Sequence, residues 1–372
     1  MTSTTSEGVG SGVIDTAVHH DWRDQNEIVR YLSSAWREYV GESKWFSWGL
    51  GTKDISLDVP YMHPRSAAMG ESPTPGYAEL AARLERSGAD KGVLVYGKSM
   101  LMPADNNPHL GRELCHALNR WTVENWLDPD DSPFLGSILV ANQFPELSAE
   151  WIREFSRHPR MVQVALGGNG LGKPFGHPVY DPIFRAAADT GMPVVIHTLA
   201  DGAADSLPHS LAGGVAASYA EYRALSAQSL MTHASSLISQ GVFERYKDLK
   251  VVLMGGGIAW VPAFLWRMQT NFGPFGREAP WLRSLPYDYF LRNIRVSTYH
   301  LEKAPSTESW RSVLRAVDDS GSIFCYGSGM PFGDFDTVAG VRATLPAEWH
   351  PNVFGGTAGD LYGLTSERVA NG

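Results

Sequence analysis

The chain has 372 residues, 43% of them hydrophobic and 19% charged, and its 12 Trp, 14 Tyr and 15 Phe supply enough apolar material for a large core, so wholesale disorder is excluded. The formal net charge is −9 with no Lys/Arg cluster, which disfavours a nucleic-acid partner because phosphate binding needs a concentrated basic face. The two cysteines, Cys115 and Cys325, permit neither a cysteine-rich metal pattern nor a secreted disulfide framework.

Residues 1–11 are rich in Ser, Thr and Gly and read as a mobile tail ahead of a single domain over 12–372. The tail lacks the basic and apolar regions of a signal peptide. No uncharged apolar stretch approaches the roughly 20 residues of a membrane span. The expectation is a soluble, cytoplasmic protein without a membrane partner.

Short β-branched runs then alternate with helix-period segments, the pattern of a parallel sheet with crossover helices. Eight runs are present: 12–20 (GVIDTAVHH), 91–97 (KGVLVYG), 133–140 (PFLGSILV), 161–166 (MVQVAL), 192–198 (MPVVIHT), 250–254 (KVVLM), 294–300 (IRVSTYH) and 322–327 (SIFCYG). Amphipathic helices are expected over 77–87, 149–158, 181–190 and 219–246. Eight strands close a barrel, so the fold class read here is α/β, a (β/α)8 TIM barrel. Two long loops, 45–75 and 201–217, follow the first and fifth strands, on the face where barrel active sites are built.

Chemistry in such a barrel is read at the strand ends. The first run ends Ala17-Val18-His19-His20, with hydrophobic residues on both faces, so period-two alternation does not say which side is the lumen. The fifth places His197 after four apolar residues. The sixth runs into Gly255-Gly256-Gly257, the seventh ends Thr298-Tyr299-His300, and the eighth leads into Ser328-Gly329-Met330-Pro331.

The stretches IDTAVHHDW, ALNRWTVENWLDPD, PRMVQVALGG, MPVVIHT, GVFERYKDLKVVLMGGGIAWVPAFLWRM and YGSGMPFGDFD occur in that order. Together they make the chain resemble the amidohydrolase superfamily in its amidohydrolase-2 branch, related to aminocarboxymuconate-semialdehyde and resorcylate-type decarboxylases. The resemblance spans about 12–364 and implies a metal-dependent-hydrolase-like barrel. It says less about substrate, because one frame hosts decarboxylation, hydrolysis and hydration.

The departures from that family are concentrated at its metal. The acidic residue or His two places before His19 is Ala17 here. The sixth-strand His or Glu is Gly255. In the eighth-strand turn the Asp is Gly329 and the following His is Phe332. Only His19 and His197 remain, whereas catalytic zinc takes about three protein ligands plus water. No metal and no other cofactor is therefore expected, and the small replacements are expected to enlarge the cavity.

Imidazoles titrate near neutrality and can act as acid or base without a metal. The catalytic candidates are His19, His197 and His300, the last without a counterpart in typical relatives. His20 and His233 read as structural. Candidates for binding substrate are Arg65, which with His63 could meet a carboxylate, and Tyr96, Lys98, Asn142, Asn169, Trp260 and Phe332. Asn142 is followed by Gln143, another residue of hydrogen-bonding type. Asp334 and Asp336 are expected to hold the turn after the eighth strand. The aromatic supply (Trp45, Trp48, Tyr61 and Phe175 among it) fits a pocket for an aromatic or polyketide-like ligand. No nucleophile-elbow or dinucleotide fingerprint is present. The reading is a metal-independent enzyme of lyase-like chemistry (decarboxylation, C–C cleavage, dehydration or cyclisation), with hydrolysis open, on a small apolar or aromatic carbonyl or carboxylate substrate. The alternatives are a metal-dependent hydrolase or decarboxylase with an atypical site, and a non-catalytic ligand-binding homologue. The resemblance also implies a homo-oligomer.

Overall fold

The computed structural model describes residues 12–42, 74–105, 107–129, 131–169, 171–198, 218–315, 317–333 and 335–364. Eight strands follow one another in sheet order: β1 (Ile14–His20), β2 (Lys91–Tyr96), β3 (Phe134–Leu139), β4 (Met161–Leu166), β5 (Val194–His197), β6 (Val251–Met254), β7 (Ile294–Ser297) and β8 (Phe324–Cys325). Every neighbouring pair is parallel. The strands are buried almost throughout, as expected where helices cover the outer face and side chains fill the inner one.

The segment after β8 returns to β1 and brings the two ends of the sheet together. Thr16 N–H donates to the Tyr326 carbonyl (2.9 Å), Gly329 N–H to Ala17 (3.0 Å) and His19 N–H to Met330 (2.6 Å). The strand ends carrying the sequence-predicted histidines therefore share the carboxyl end of one barrel. Strands seven and eight are shorter than the runs read from sequence, so Tyr299 and His300 lie in the turn after β7.

Helix boundaries follow local chemistry. The helices Tyr77–Ser87 and Asp181–Thr190 occupy the expected ranges, and each stops at a left-handed glycine, Gly88 (φ 84°) and Gly191 (φ 71°). The helix expected over 149–158 runs Pro145–Phe155 instead, started by a proline in its first turn. The helix expected over 219–246 is three: Tyr219–Leu225, Ala227–Ser239 and Val242–Arg245. Gly241, at φ 69°, makes the second break.

The tail 1–11, the loop 201–217 and all of the loop 45–75 except Thr74 and Pro75 lie outside the described residues. With them go Arg65, His63, Trp45, Trp48, Tyr61 and Asp334. No helix among the described residues is long and apolar enough to cross a membrane.

Candidate active site

β1 decides the inside and outside of the barrel mouth. His20 turns outward: its Nδ1 meets the Val95 carbonyl at 2.9 Å, its Nε2 meets Thr122 Oγ1 at 2.9 Å, and its ring stacks on Trp121. Burial pushes its pKa down to about 4. His19, one residue earlier, turns inward and reaches β5. Its Nε2 stands 2.9 Å from Nε2 of His197, with the rings edge to face and centroids 5.0 Å apart.

The tautomers follow from a backbone carbonyl. His19 Nδ1 is 3.3 Å from the Met330 oxygen, which can only accept, so Nδ1 carries the hydrogen. The lone pair of His19 is then on Nε2, and His197 Nε2–H is the donor across the mouth. Burial, and next the positive charge of Arg223, push His197 down to about 3. It is neutral at physiological pH.

Tyr299 contacts both imidazoles, at ring-centroid distances of 5.4 Å to His19 and 5.9 Å to His197. Phe332 lies 4.6 Å from the His19 ring, which places this substrate-binding candidate against the pair. His300 joins the cluster through Tyr299, on which it stacks at 3.6 Å. Its backbone is left-handed (φ 68°), and the Asp336 carboxylate accepts from His300 N–H and Leu301 N–H, both at 3.0 Å. Asp336 thus holds the turn after β7 with its side chain. With its backbone it holds β8, donating to Ser328 O at 2.8 Å.

Several binding candidates already have partners within the fold. Tyr96 pairs in register with His20 and points away from the lumen. Its buried hydroxyl donates toward Asn119 Oδ1 (3.0 Å) and Ser137 O (3.2 Å) and accepts from Thr122 (3.1 Å). Trp260 packs on Phe264 and Phe290 and donates Nε1–H to Gly257 O. Asn169 is committed to Tyr180 Oη (2.7 Å) and the Lys173 carbonyl. Gln143 donates to the carbonyls of Pro103 and Asp105. Lys98 sits over the Trp22 ring at 4.7 Å, near Asp21. Asn142 ties β3 to β4 through Gly168 O at 2.7 Å; its buried Oδ1 has no partner among the described residues. Phe175 and His233 stack on each other in the core.

Sequence reasoning passed over Tyr299, Asp15, Glu302 and Arg223. Asp15, deeper on β1, accepts at Oδ1 from Ala17 N–H (3.0 Å) and Ser328 N–H (2.9 Å), and burial pushes its carboxyl up. The Glu302 carboxylate accepts from Ile258 N–H (2.9 Å) and Ala259 N–H (3.2 Å), and Gly257 leaves room for it. Burial raises Glu302 and the charge of Arg223 opposes that shift.

The expectation that small replacements enlarge the cavity is also corrected. A Cβ placed on Gly329 would collide with the ring of Tyr299 at its Cε2 atom. One on Gly255 would meet Thr198 Oγ1 and His197 Cε1, and Ala17 packs against Gly327. Neighbouring side chains already use the space.

A parallel eight-stranded barrel with polar residues gathered at its carboxyl end defines a barrel enzyme architecture. The amidohydrolase family profile matches residues 63–364, and the chain belongs to that family, in its amidohydrolase-2 branch. Among solved structures it is similar to 5-carboxyvanillate decarboxylase from Sphingomonas paucimobilis (20% identity, TM-score 0.66, 95% of this chain and 99% of that one). It is also similar to a dihydroxybenzoic acid decarboxylase from a Polaromonas species, solved with manganese and the inhibitor 2-nitroresorcinol (14%, 0.69, 97% and 100%). A third is 2,6-dihydroxybenzoate decarboxylase from Rhizobium (15%, 0.62, 95% and 99%). No curated protein matches in sequence.

The manganese in that neighbour poses a test of fit. Manganese favours oxygen donors, and zinc wants three protein ligands at an open site. Here two imidazoles converge; both Glu302 oxygens are held by backbone N–H groups, and Asp15, deeper on β1, is held at Oδ1 by two backbone N–H groups while its buried Oδ2 has no partner among the described residues. Among the described residues no group of three or more His, Cys, Asp or Glu could hold a metal ion. The described donor set does not fit one.

Proposed function

We propose that this amidohydrolase-family chain is a metal-independent, lyase-like enzyme that uses the His19–His197 pair for acid–base chemistry on a small aromatic or largely apolar carboxylate or carbonyl compound. The observation that carries this reading is the 2.9 Å contact between the two Nε2 atoms inside a mouth walled by Tyr299 and Phe332. Loss of CO2 from a hydroxyaromatic carboxylate puts one proton on the ring carbon that held the carboxylate. A group at the site must take up a proton and return it. A neutral imidazole pair holding one N–H between two nitrogens can do both, the bridging hydrogen passing to His19 Nε2 as the proton arrives, so that His19 carries the charge while His197 stays neutral. The folds of the decarboxylases in the comparison support the choice of substrate class and leave the particular compound open.

The test is turnover of 2,6-dihydroxybenzoate, 5-carboxyvanillate and a panel of related aromatic carboxylates by chelator-treated protein, followed by CO2 release. Activity that survives chelation and disappears in His19→Ala and His197→Ala is the expected result. Activity that vanishes on chelation and returns with manganese would overturn the metal-independent reading. Retention of activity in both alanine variants would overturn the role of the pair.

A further inference from the structure

We propose that Tyr299 is the residue that closes this mouth to a divalent cation, by filling the side-chain volume of position 329. The inference rests on the metal-independent reading and gives it a structural cause. Residue 329 adjoins Met330, whose carbonyl takes both the N–H and the Nδ1 of His19. A side chain on residue 329 would run into the ring that contacts His19 and His197. A donor there would lie beside the pair, and the phenol ring is in its place.

The ring is held firmly. Tyr299 is 2% exposed. Its carbonyl accepts from Gly257 N–H at 3.1 Å and its own N–H reaches Ser297 Oγ at 3.3 Å. The next two backbone N–H groups are clamped by Asp336. A core ring anchored on both sides does not move aside cheaply, because packed interiors resist added volume. Positions 299 and 329 are therefore coupled: the mouth accepts a ring at one or a side chain at the other. Two imidazoles without a third ligand hold a divalent ion poorly.

The experiment compares wild type, Gly329→Asp, Tyr299→Ala and the Tyr299→Ala/Gly329→Asp double variant by calorimetric titration with Zn2+ and with Mn2+. Position 329 has φ 80°, a region that Asp tolerates better than most residues. Wild type and both single variants should show no stoichiometric binding. The double variant should bind on the order of 100-fold more tightly than wild type, since a carboxylate then joins two histidines. If Gly329→Asp alone binds as well as the double, or the double binds no better than wild type, Tyr299 is not the barrier. Tight binding by wild type would instead overturn the metal-independent reading along with it. Should Gly329→Asp fold poorly, thermal melting of Gly329→Ala, Tyr299→Ala and their double reads the same coupling. The pair should lose much less stability together than the sum of the singles, and simple additivity would count against the inference.

Discussion

His19 and His197, 178 residues apart in the chain, share one hydrogen bond at 2.9 Å across the barrel mouth. Because Met330 fixes the tautomer of His19, the pair is one unit with one bridging proton. Groups that act as a unit are strongly non-additive. His19→Ala, His197→Gln and the double variant should therefore each lower turnover by about 10²–10⁴-fold, with the double no worse than the weaker single. Single-turnover rates on any aromatic carboxylate the protein converts will check this; multiplicative losses would mean the two rings act separately.

Two buried groups behind the mouth make the pH dependence of stability a sum of opposite signs. His20 has its pKa lowered to about 4. It contributes stability that is present above its unfolded value near 6.5 and is lost as pH falls toward 4, of order 3 kcal/mol for such a shift. Asp21 has its pKa raised to about 6, chiefly by burial, with Lys98 and the Ser99 hydroxyl opposing. Its contribution is present below about 4 and is lost as pH rises through 6. His197, lowered to about 3, adds to the histidine side. The raised carboxyls of Asp15 and Glu302 act in the same sense as Asp21, so the net slope is a balance of the two sets, and Asp21→Asn should make the slope of stability against pH more positive between about 4 and 6. Urea midpoints across this range provide the measurement; an unchanged or less positive slope in the variant would contradict the assignment.

The barrel was legible because its signals are local. β-Branched runs marked the eight strands, and Gly88 and Gly191 marked two helix ends. His19 and His197 were legible as histidines at the ends of apolar strands. The direction of β1 was not, since both of its faces are hydrophobic. Only the register of His20 with Tyr96 and the helix behind them show that both point outward. Tyr299 was missed for a different reason. Its part depends on Gly329, thirty residues away, and a glycine read alone looks like empty space when its neighbour has already filled it.

Tyr96 offers a clean separation of fold from site. Its hydroxyl is fully buried among Asn119, Thr122 and Ser137, and Tyr96→Phe leaves those groups short of a partner. A loss of roughly 1–3 kcal/mol is expected. KM and kcat on any aromatic carboxylate the protein converts should match wild type. A selective loss of binding with stability intact would return Tyr96 to the mouth.

The turn after β7 sets where Tyr299 and His300 stand, and Asp336 sets the turn. One carboxylate oxygen accepts from two consecutive N–H groups, His300 and Leu301, each at 3.0 Å. The Asp336 carbonyl also accepts from Tyr326 Oη at 2.7 Å, so both ends of the residue are fixed. His300 is held at φ 68°, a conformation that costs a non-glycine residue roughly 1 kcal/mol and persists only where its surroundings enforce it. Asp336→Ala removes the acceptor and should cost about 3 kcal/mol, the scale of hydrogen bonds to a charged group. Asp336→Asn keeps an oxygen in place and should cost about 1 kcal/mol. His300→Asn, which suits the same backbone region, should leave the fold intact and tests whether this imidazole takes part in chemistry. Chemical denaturation gives the ordering of the two Asp336 variants, and kcat beside KM for His300→Asn gives the rest. Loss of kcat at unchanged stability assigns His300 to the reaction. Unchanged kcat assigns it to holding the ring of Tyr299.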